Sequence, residues 1–253
     1  GLEPGMVVTG LARLAPPLGP LRPHSYDFAF ESMEADLFPW TKWQRYVKAA
    51  IEEDRGSSVL SYGNMKGNHY LREMLCEYLF RHRGVKAIPE QVIIGAGTQN
   101  IMEMLLSLFD PSAYRVAFEE PGYRAMRSLI ESRGYIVTSI PVLETGMCTY
   151  LLGHSNCNLV YTTPSHQFPT GIAMSIGMRN VMLKWAAHMD DAYIIENDYD
   201  SEFRHGSMPV PSLQSLDTHQ KVIYIGTLSK VLSPGIRCAY AVLPWSLVER
   251  FEH

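Results

Sequence analysis

The sequence predicts an α/β fold, a mostly parallel seven-stranded sheet flanked by helices, and three observations predict it. Short β-branched runs recur from Gln91 to the C-terminus. Helical stretches separate them. The runs are apolar throughout instead of alternating with polar residues, which marks strands buried on both faces of a parallel sheet. A chain of 253 residues is long enough for one large α/β domain, or a domain and part of a second.

The elements follow in order. Residues 1 to 25 carry Pro4, Pro16, Pro17, Pro20 and Pro23 and read as an extended lead-in or linker, with the folded domain expected over 26 to 253. A helix is expected after Thr41 as its cap, with Val47 and Ile51 on its inner face, until Gly56 ends it. From His69 to His82, Leu71, Met74, Leu75, Tyr78 and Leu79 recur at helical spacing, and Gly84 stands just past the end. The seven expected strands are Val92 to Ile94, Arg115 to Phe118, Tyr135 to Ile140, Leu159 to Tyr161, Tyr193 to Ile195, Val222 to Ile225 and Cys238 to Leu243. Helices are expected near 99 to 108, 122 to 133 and 178 to 189. Leu247 to His253 reads as the opening turns of a further helix, and with Gly1 in first place both ends look cut from a longer protein.

Composition narrows the function. A net charge of -4 leaves no electrostatic footprint for nucleic acid or an anionic membrane, so the stretch alone is not expected to bind DNA. Cys76, Cys148, Cys157 and Cys238 show neither CxxC spacing nor a disulfide framework, which points to a reducing cytoplasm. No run approaches the about 18 to 20 apolar residues that span a bilayer. The GxSxG, HExxH and GxxxxGK[ST] patterns are absent, and the histidines lack ligand spacing, so no metal site is expected.

Three loops at strand ends carry the chemistry, because ligands in such folds bind beyond the carboxyl ends of strands. Gly95-Ala96-Gly97-Thr98-Gln99 opens a helix, where small residues and free N–H groups favour a phosphate. Standing alone it is better read as an ordinary strand-to-helix turn. Glu196-Asn197-Asp198-Tyr199-Asp200 follows an apolar strand. A carboxylate there is costly unless it meets a cation, and a protonated pyridine nitrogen suits Asp198. Glu196 and Asp200 are read as solvated. In Gly226-Thr227-Leu228-Ser229-Lys230, a strand end holds Lys230 where it can be desolvated, as a Schiff-base lysine requires, while Ser229 and Arg237 can grip a phosphate. Together these groups specify pyridoxal 5'-phosphate.

Thr163-Pro164-Ser165-His166-Gln167-Phe168-Pro169-Thr170-Gly171 is similar to the TPSHQxPTG segment of the MocR/GabR family of bacterial transcriptional regulators. From about His24 onward the chain resembles their aminotransferase-like domain, of the pyridoxal-phosphate-dependent transferase fold type I. Glu120-Pro121-Gly122-Tyr123, Asn197-Asp198-Tyr199-Asp200-Ser201-Glu202-Phe203-Arg204, the Lys230 segment and Ser233-Pro234-Gly235-Ile236-Arg237 carry the same resemblance. It implies that Lys230 bonds the cofactor and Asp198 pairs with its ring nitrogen. Tyr123 would stack on the ring, Thr98, Gln99, Ser229 and Arg237 would hold the phosphate, and Tyr199 would reach the phenolic oxygen. Without the resemblance Tyr123 reads equally as a core aromatic, and His166 reads as a loop histidine satisfied by backbone. Phe168 replaces the asparagine that ordinary class I aminotransferases place before Pro-Thr-Gly, so a bond to the phenolic oxygen must come from elsewhere or be missing. Ala239 stands where many relatives have glycine.

The resemblance also implies a homodimer, a DNA-binding winged-helix domain outside this chain, and a C-terminal small subdomain, likewise outside it, bearing the arginine for an amino acid's carboxylate. One reading is an effector-sensing domain in which an amine or amino acid displaces Lys230. Another is an aminotransferase acting on an amino acid, with Lys230 also shuttling a proton. A third is a domain that has lost the cofactor and serves dimerisation, against which Lys230, Asp198 and Arg237 argue.

Overall fold

A computed structural model describes residues 36, 38–54, 61–200, 202–203 and 210–252. All of them belong to one compact unit, Met33–His253. The lead-in predicted over 1 to 25 lies outside the described residues.

The expected strands all form: β1 (Val92–Gly95), β2 (Arg115–Glu120), β3 (Ile136–Leu143), β5 (Leu159–Thr162), β6 (Tyr193–Asp198), β7 (Val222–Thr227) and β8 (Ala239–Val242). An eighth, β4 (Gly146–Met147), folds back on the end of β3. Two residues are too short to leave a pattern in a sequence. The order across the sheet is β1-β8-β7-β6-β5-β2-β3-β4. Pairs β2·β3, β2·β5, β5·β6 and β6·β7 are parallel, and β8 runs antiparallel between β1 and β7. The strands β1, β2, β5, β6 and β7 therefore point their carboxyl ends to one edge.

Helices cover both faces, as unbroken apolar strands require. On one face Ile93, Ile195, Ile223 and Ile225 pack with residues of α3 (Thr98–Leu106), α4 (Arg124–Ser132) and α8 (Trp245–Glu252). On the other, Val160, Ile194 and Val222 meet α5 (Thr149–Gly153), α6 (Ile176–Ala187) and α7 (Leu213–Leu216). Val92, Tyr224, Tyr240 and Val242 on that face meet α2 (His69–Arg83). Alternate residues of one strand serve the two faces.

Local chemistry sets the boundaries. Asn68 caps α2 by accepting from the Leu71 amide at 3.1 Å, and Gly84 ends it with a left-handed φ of 67°. Ser175 caps α6 through the Met178 amide. The first helix differs from expectation. α1 (Trp40–Asp54) begins before Thr41, so Thr41 lies inside it instead of capping it. Trp40, Tyr46, Val47 and Ile51 are all exposed, because no described part of the chain covers the side on which the periodicity placed Val47 and Ile51. Its expected stop at Gly56 lies outside the described residues. Among the described residues no helix is long and apolar enough to cross a membrane.

Candidate active site at the carboxyl edge of the sheet

The shared strand direction brings the predicted loops together. Gly95 of β1 and Thr227 of β7 both lie beside Ala239, the first residue of β8, and Gly226 lies beside Asp198. Sheet register alone thus sets Thr98 and Gln99, Asp198, Ser229 and Lys230, and Arg237 around one stretch of edge. Ala239 is fully buried there and fits between its two neighbours as an ordinary strand residue.

One part is a cradle. Gly97 precedes α3 with φ 103°, a region open to glycine alone in practice, and a methyl group there would stand 2.2 Å from an Arg237 guanidinium nitrogen. Arg237 is itself in the left-handed region, and its guanidinium donates to the Ala96 carbonyl at 3.3 Å. The Asn100 side chain accepts from the Ala96 amide at 2.9 Å and fixes the turn. Thr98 and Gln99 form the first turn of α3, Thr98 half-buried and Gln99 exposed. Thr227 bonds both the amide and the hydroxyl of Ser229, holding it at the end of β7. An arginine, a serine hydroxyl and a helix N-terminus around a glycine that leaves backbone bare are the donor set of an anion site.

The second part is centred on Asp198, whose side chain is fully buried. Its Oδ2 accepts from Arg83 Nε at 2.7 Å and from the Tyr224 hydroxyl at 2.7 Å. Its Oδ1 has no hydrogen-bond partner among the described residues. Burial pushes the Arg83 guanidinium down, but the facing Asp198 charge more than reverses this and leaves it above its ordinary value. Burial, then the same carboxylate, holds the Tyr224 hydroxyl protonated, well above its usual range. A buried carboxylate with one satisfied oxygen and one bare one fits a cationic N–H donor.

Glu196 is a correction. It is fully buried in β6, where Oε1 and Oε2 accept from the Leu213 and Gln214 amides at 2.8 and 2.9 Å. Arg179 lies 3.6 Å away and also donates to the carbonyls of Met174, Pro211 and Pro164. Burial and the neighbouring Asp198 charge push Glu196 up to about 7. Asp200 is half-buried rather than solvated and meets His166 Nδ1 at 3.1 Å, so a side chain helps to hold His166. Burial raises Asp200, while the charges of His166 and Lys230 pull it down, which places Lys230 within electrostatic reach. Tyr199 is kept protonated by burial first and the neighbouring Asp200 carboxylate second. Tyr123 is half-buried and meets the Phe168 ring edge-on at 5.6 Å. Phe168 supplies an aromatic wall where an asparagine would supply a hydrogen bond.

Further contributors escaped the sequence reading. Arg83 sits in the row Leu75, Leu79, Arg83, whose four-residue spacing is the one available signal that this arginine faces inward. Glu119 is buried and accepts from Thr162, Thr163 and Gln167, pinning the Thr163 to Gly171 loop to the end of β2. Gln167 reinforces it through the Pro121 carbonyl at 2.8 Å. Ser165 in that loop accepts from Arg83 at 2.8 Å. The loop thereby reaches Asp198 through one arginine.

Comparison with known proteins gives a consistent result. The profile of the family described as "Aminotransferase class I and II" matches residues 37–252. The chain is 40% identical over 224 residues to the "Uncharacterized HTH-type transcriptional regulator YdeL" of Bacillus subtilis, covering 88% of this chain and 48% of that protein. It is 32% identical to the "Probable rhizopine catabolism regulatory protein MocR" of Rhizobium meliloti, covering 98% and 50%. Among solved structures, the α-aminoadipate aminotransferase LysN of Thermus thermophilus, complexed with N-(5'-phosphopyridoxyl)-L-leucine, superposes with TM-score 0.74 at 28% identity, covering 86% and 56%. The chain spans about half the length of the curated relatives it matches. A profile match across most of the sequence, on a sheet whose carboxyl edge gathers these residues, makes the chain a member of the class I and II aminotransferase family.

Proposed function

We propose that this chain is the pyridoxal 5'-phosphate-binding, effector-sensing domain of a transcriptional regulator of the MocR/GabR type. The observation that carries the cofactor is the bare Oδ1 of Asp198, buried at a strand end beside the Gly97–Arg237 cradle. The relation to HTH-type regulators supports the regulatory half. When bound, the cofactor supplies an electrophilic carbon and an electron-withdrawing ring.

The residues divide the work. Arg237, Ser229, Thr98 and Gln99 would hold the phosphate, Asp198 Oδ1 would accept from the ring nitrogen, and Tyr123 would pack on the ring. Tyr199, kept protonated, is the donor to the phenolic oxygen that Phe168 cannot be. Lys230 anchors the cofactor, and an amine or amino-acid effector competes with it for the same position. We further propose a homodimer that reaches DNA through a domain outside this stretch. The exposed Trp40, Tyr46, Val47 and Ile51 of α1 give apolar surface for self-association.

The likeness to a solved aminotransferase favours a second reading, turnover of an amino acid. The deciding experiment treats the full-length protein and Lys230→Ala with pyridoxal 5'-phosphate and then borohydride. A visible band that borohydride traps only in the protein retaining Lys230 is expected. No trapped band in either sinks the proposal, and steady turnover of an amino acid with a 2-oxo acid favours the second reading.

A further inference from the structure

We infer that Arg83 is a positioning residue that, with Tyr224, shares the negative charge of Asp198 and so weakens the hold of Asp198 on the proton of the bound cofactor's ring nitrogen. The inference rests on the cofactor reading above. It stands on geometry: Oδ2 alone takes both the Arg83 and Tyr224 donors, leaving Oδ1 for the ring.

Placement makes Arg83 a fixed component. Its side chain is almost fully buried at the end of α2, and it is also held by Ser165 Oγ at 2.8 Å and the Val210 carbonyl. A ring nitrogen at Oδ1 therefore faces a carboxylate–guanidinium pair of nearly zero net charge instead of a lone carboxylate.

The other groups around Asp198 do not cancel this. Glu196, Asp200 and Glu202, on its own strand and the loop beyond, are all raised by burial, and none donates to it. Tyr78 of α2, Tyr199 and Tyr240 of β8 are held protonated by burial, hence neutral. Arg179 of α6 is another cation in reach, and its nearer acid is Glu196. Among the described residues, Arg83 is the cation that forms an ion pair with Asp198.

The consequence is a ring that draws electrons less strongly than one facing an unshared carboxylate. Such a site favours reversible capture of an amine over loss of its α-proton, which suits a sensor.

The test loads the full-length protein with ring-15N-labelled pyridoxal 5'-phosphate and follows the 15N signal against pH in wild type, Arg83→Gln, Arg83→Lys and Tyr224→Phe. Borohydride trapping at Lys230 is checked first, so absence of bound cofactor counts against the cofactor reading and is not confused with the result here. The midpoint for losing the ring proton should rise by about one pH unit or more in Arg83→Gln and return towards wild type in Arg83→Lys. Tyr224→Phe, a small change that keeps the packing, should raise it by a smaller amount and decides the matter if Arg83→Gln does not fold. Equal midpoints, or a wild-type ring nitrogen that stays protonated to the alkaline limit of folding, overturn the inference.

Discussion

Glu196 and Asp198 are two buried carboxylates two residues apart on one strand, and they differ in what completes them. Alternation puts both on the face that meets α2, α6 and α7. Glu196 has both oxygens bonded to backbone amides and Arg179 at 3.6 Å. Asp198 has Arg83 and Tyr224 on one oxygen and nothing among the described residues on the other. Burial costs both about the same, since each leaves water entirely. A carboxylate whose every acceptor is used is a structural joint, and one with a bare acceptor at the carboxyl edge of the sheet is what the proposed function reads as a binding group. Removing partners from each should therefore have different outcomes.

The largest effect is expected at the completed joint. Arg179→Met leaves Glu196 without its cation and the Met174, Pro164 and Pro211 carbonyls without a donor. A stability loss of about 3–5 kcal/mol is expected by urea denaturation. A loss under about 1 kcal/mol would mean that the amides of α7 alone hold Glu196 and that the ion pair is incidental.

Asp198→Asn should give the opposite balance. The amide keeps an oxygen for Arg83 and Tyr224, and Arg83 retains Ser165 and Val210, so the stability loss should be only about 1–3 kcal/mol. Pyridoxal 5'-phosphate should bind about 10–100 times more weakly in a titration followed by absorbance, because a charge-assisted bond to the ring is gone. Full stability loss with unchanged affinity would place Asp198 beside Glu196 as a joint.

That contrast also explains what was legible in the sequence. The strands were readable because a parallel sheet buried on both faces leaves unbroken apolar runs, and Tyr193-Ile194-Ile195 is one. Lys230 and Asp198 stood out because each comes at the carboxyl end of such a run, and Arg237 because it closes the loop that Lys230 opens, just before β8. Glu196 was misread as solvated because the residues after it, Asn197 to Asp200, are polar, whereas its partners come from α6 and α7, 17 residues or more away. Arg83 lies 115 residues from Asp198, and only the β6–β7 register and the packing of α2 join them. The inward face predicted for α1 failed for a related reason. Periodicity shows that a helix has an apolar side but not which surface covers it.

The smallest effect distinguishes the two carboxylates by titration. Burial first, and the Asp198 charge second, push Glu196 from its ordinary 4.5 up to about 7. A raised value means that the folded chain holds this proton through a range where the unfolded chain has released it. Its stabilising contribution is complete below about pH 4.5 and is lost as pH rises through about 7. Stability should then fall across that window by up to about 1.4 kcal/mol per pH unit from this group. Glu119, also raised by burial, adds a slope of the same sign, so variants isolate the Glu196 part. Glu196→Gln should be less stable throughout, since its amide faces two N–H donors, but should show a flatter profile. Asp198→Asn removes the second cause of the shift and should move the upper end of the window down. Denaturation curves from pH 4.5 to 8 on the three proteins read this directly. An upper end unmoved in Asp198→Asn would mean that burial alone sets Glu196, and that the two carboxylates, though adjacent on one face, are electrostatically independent.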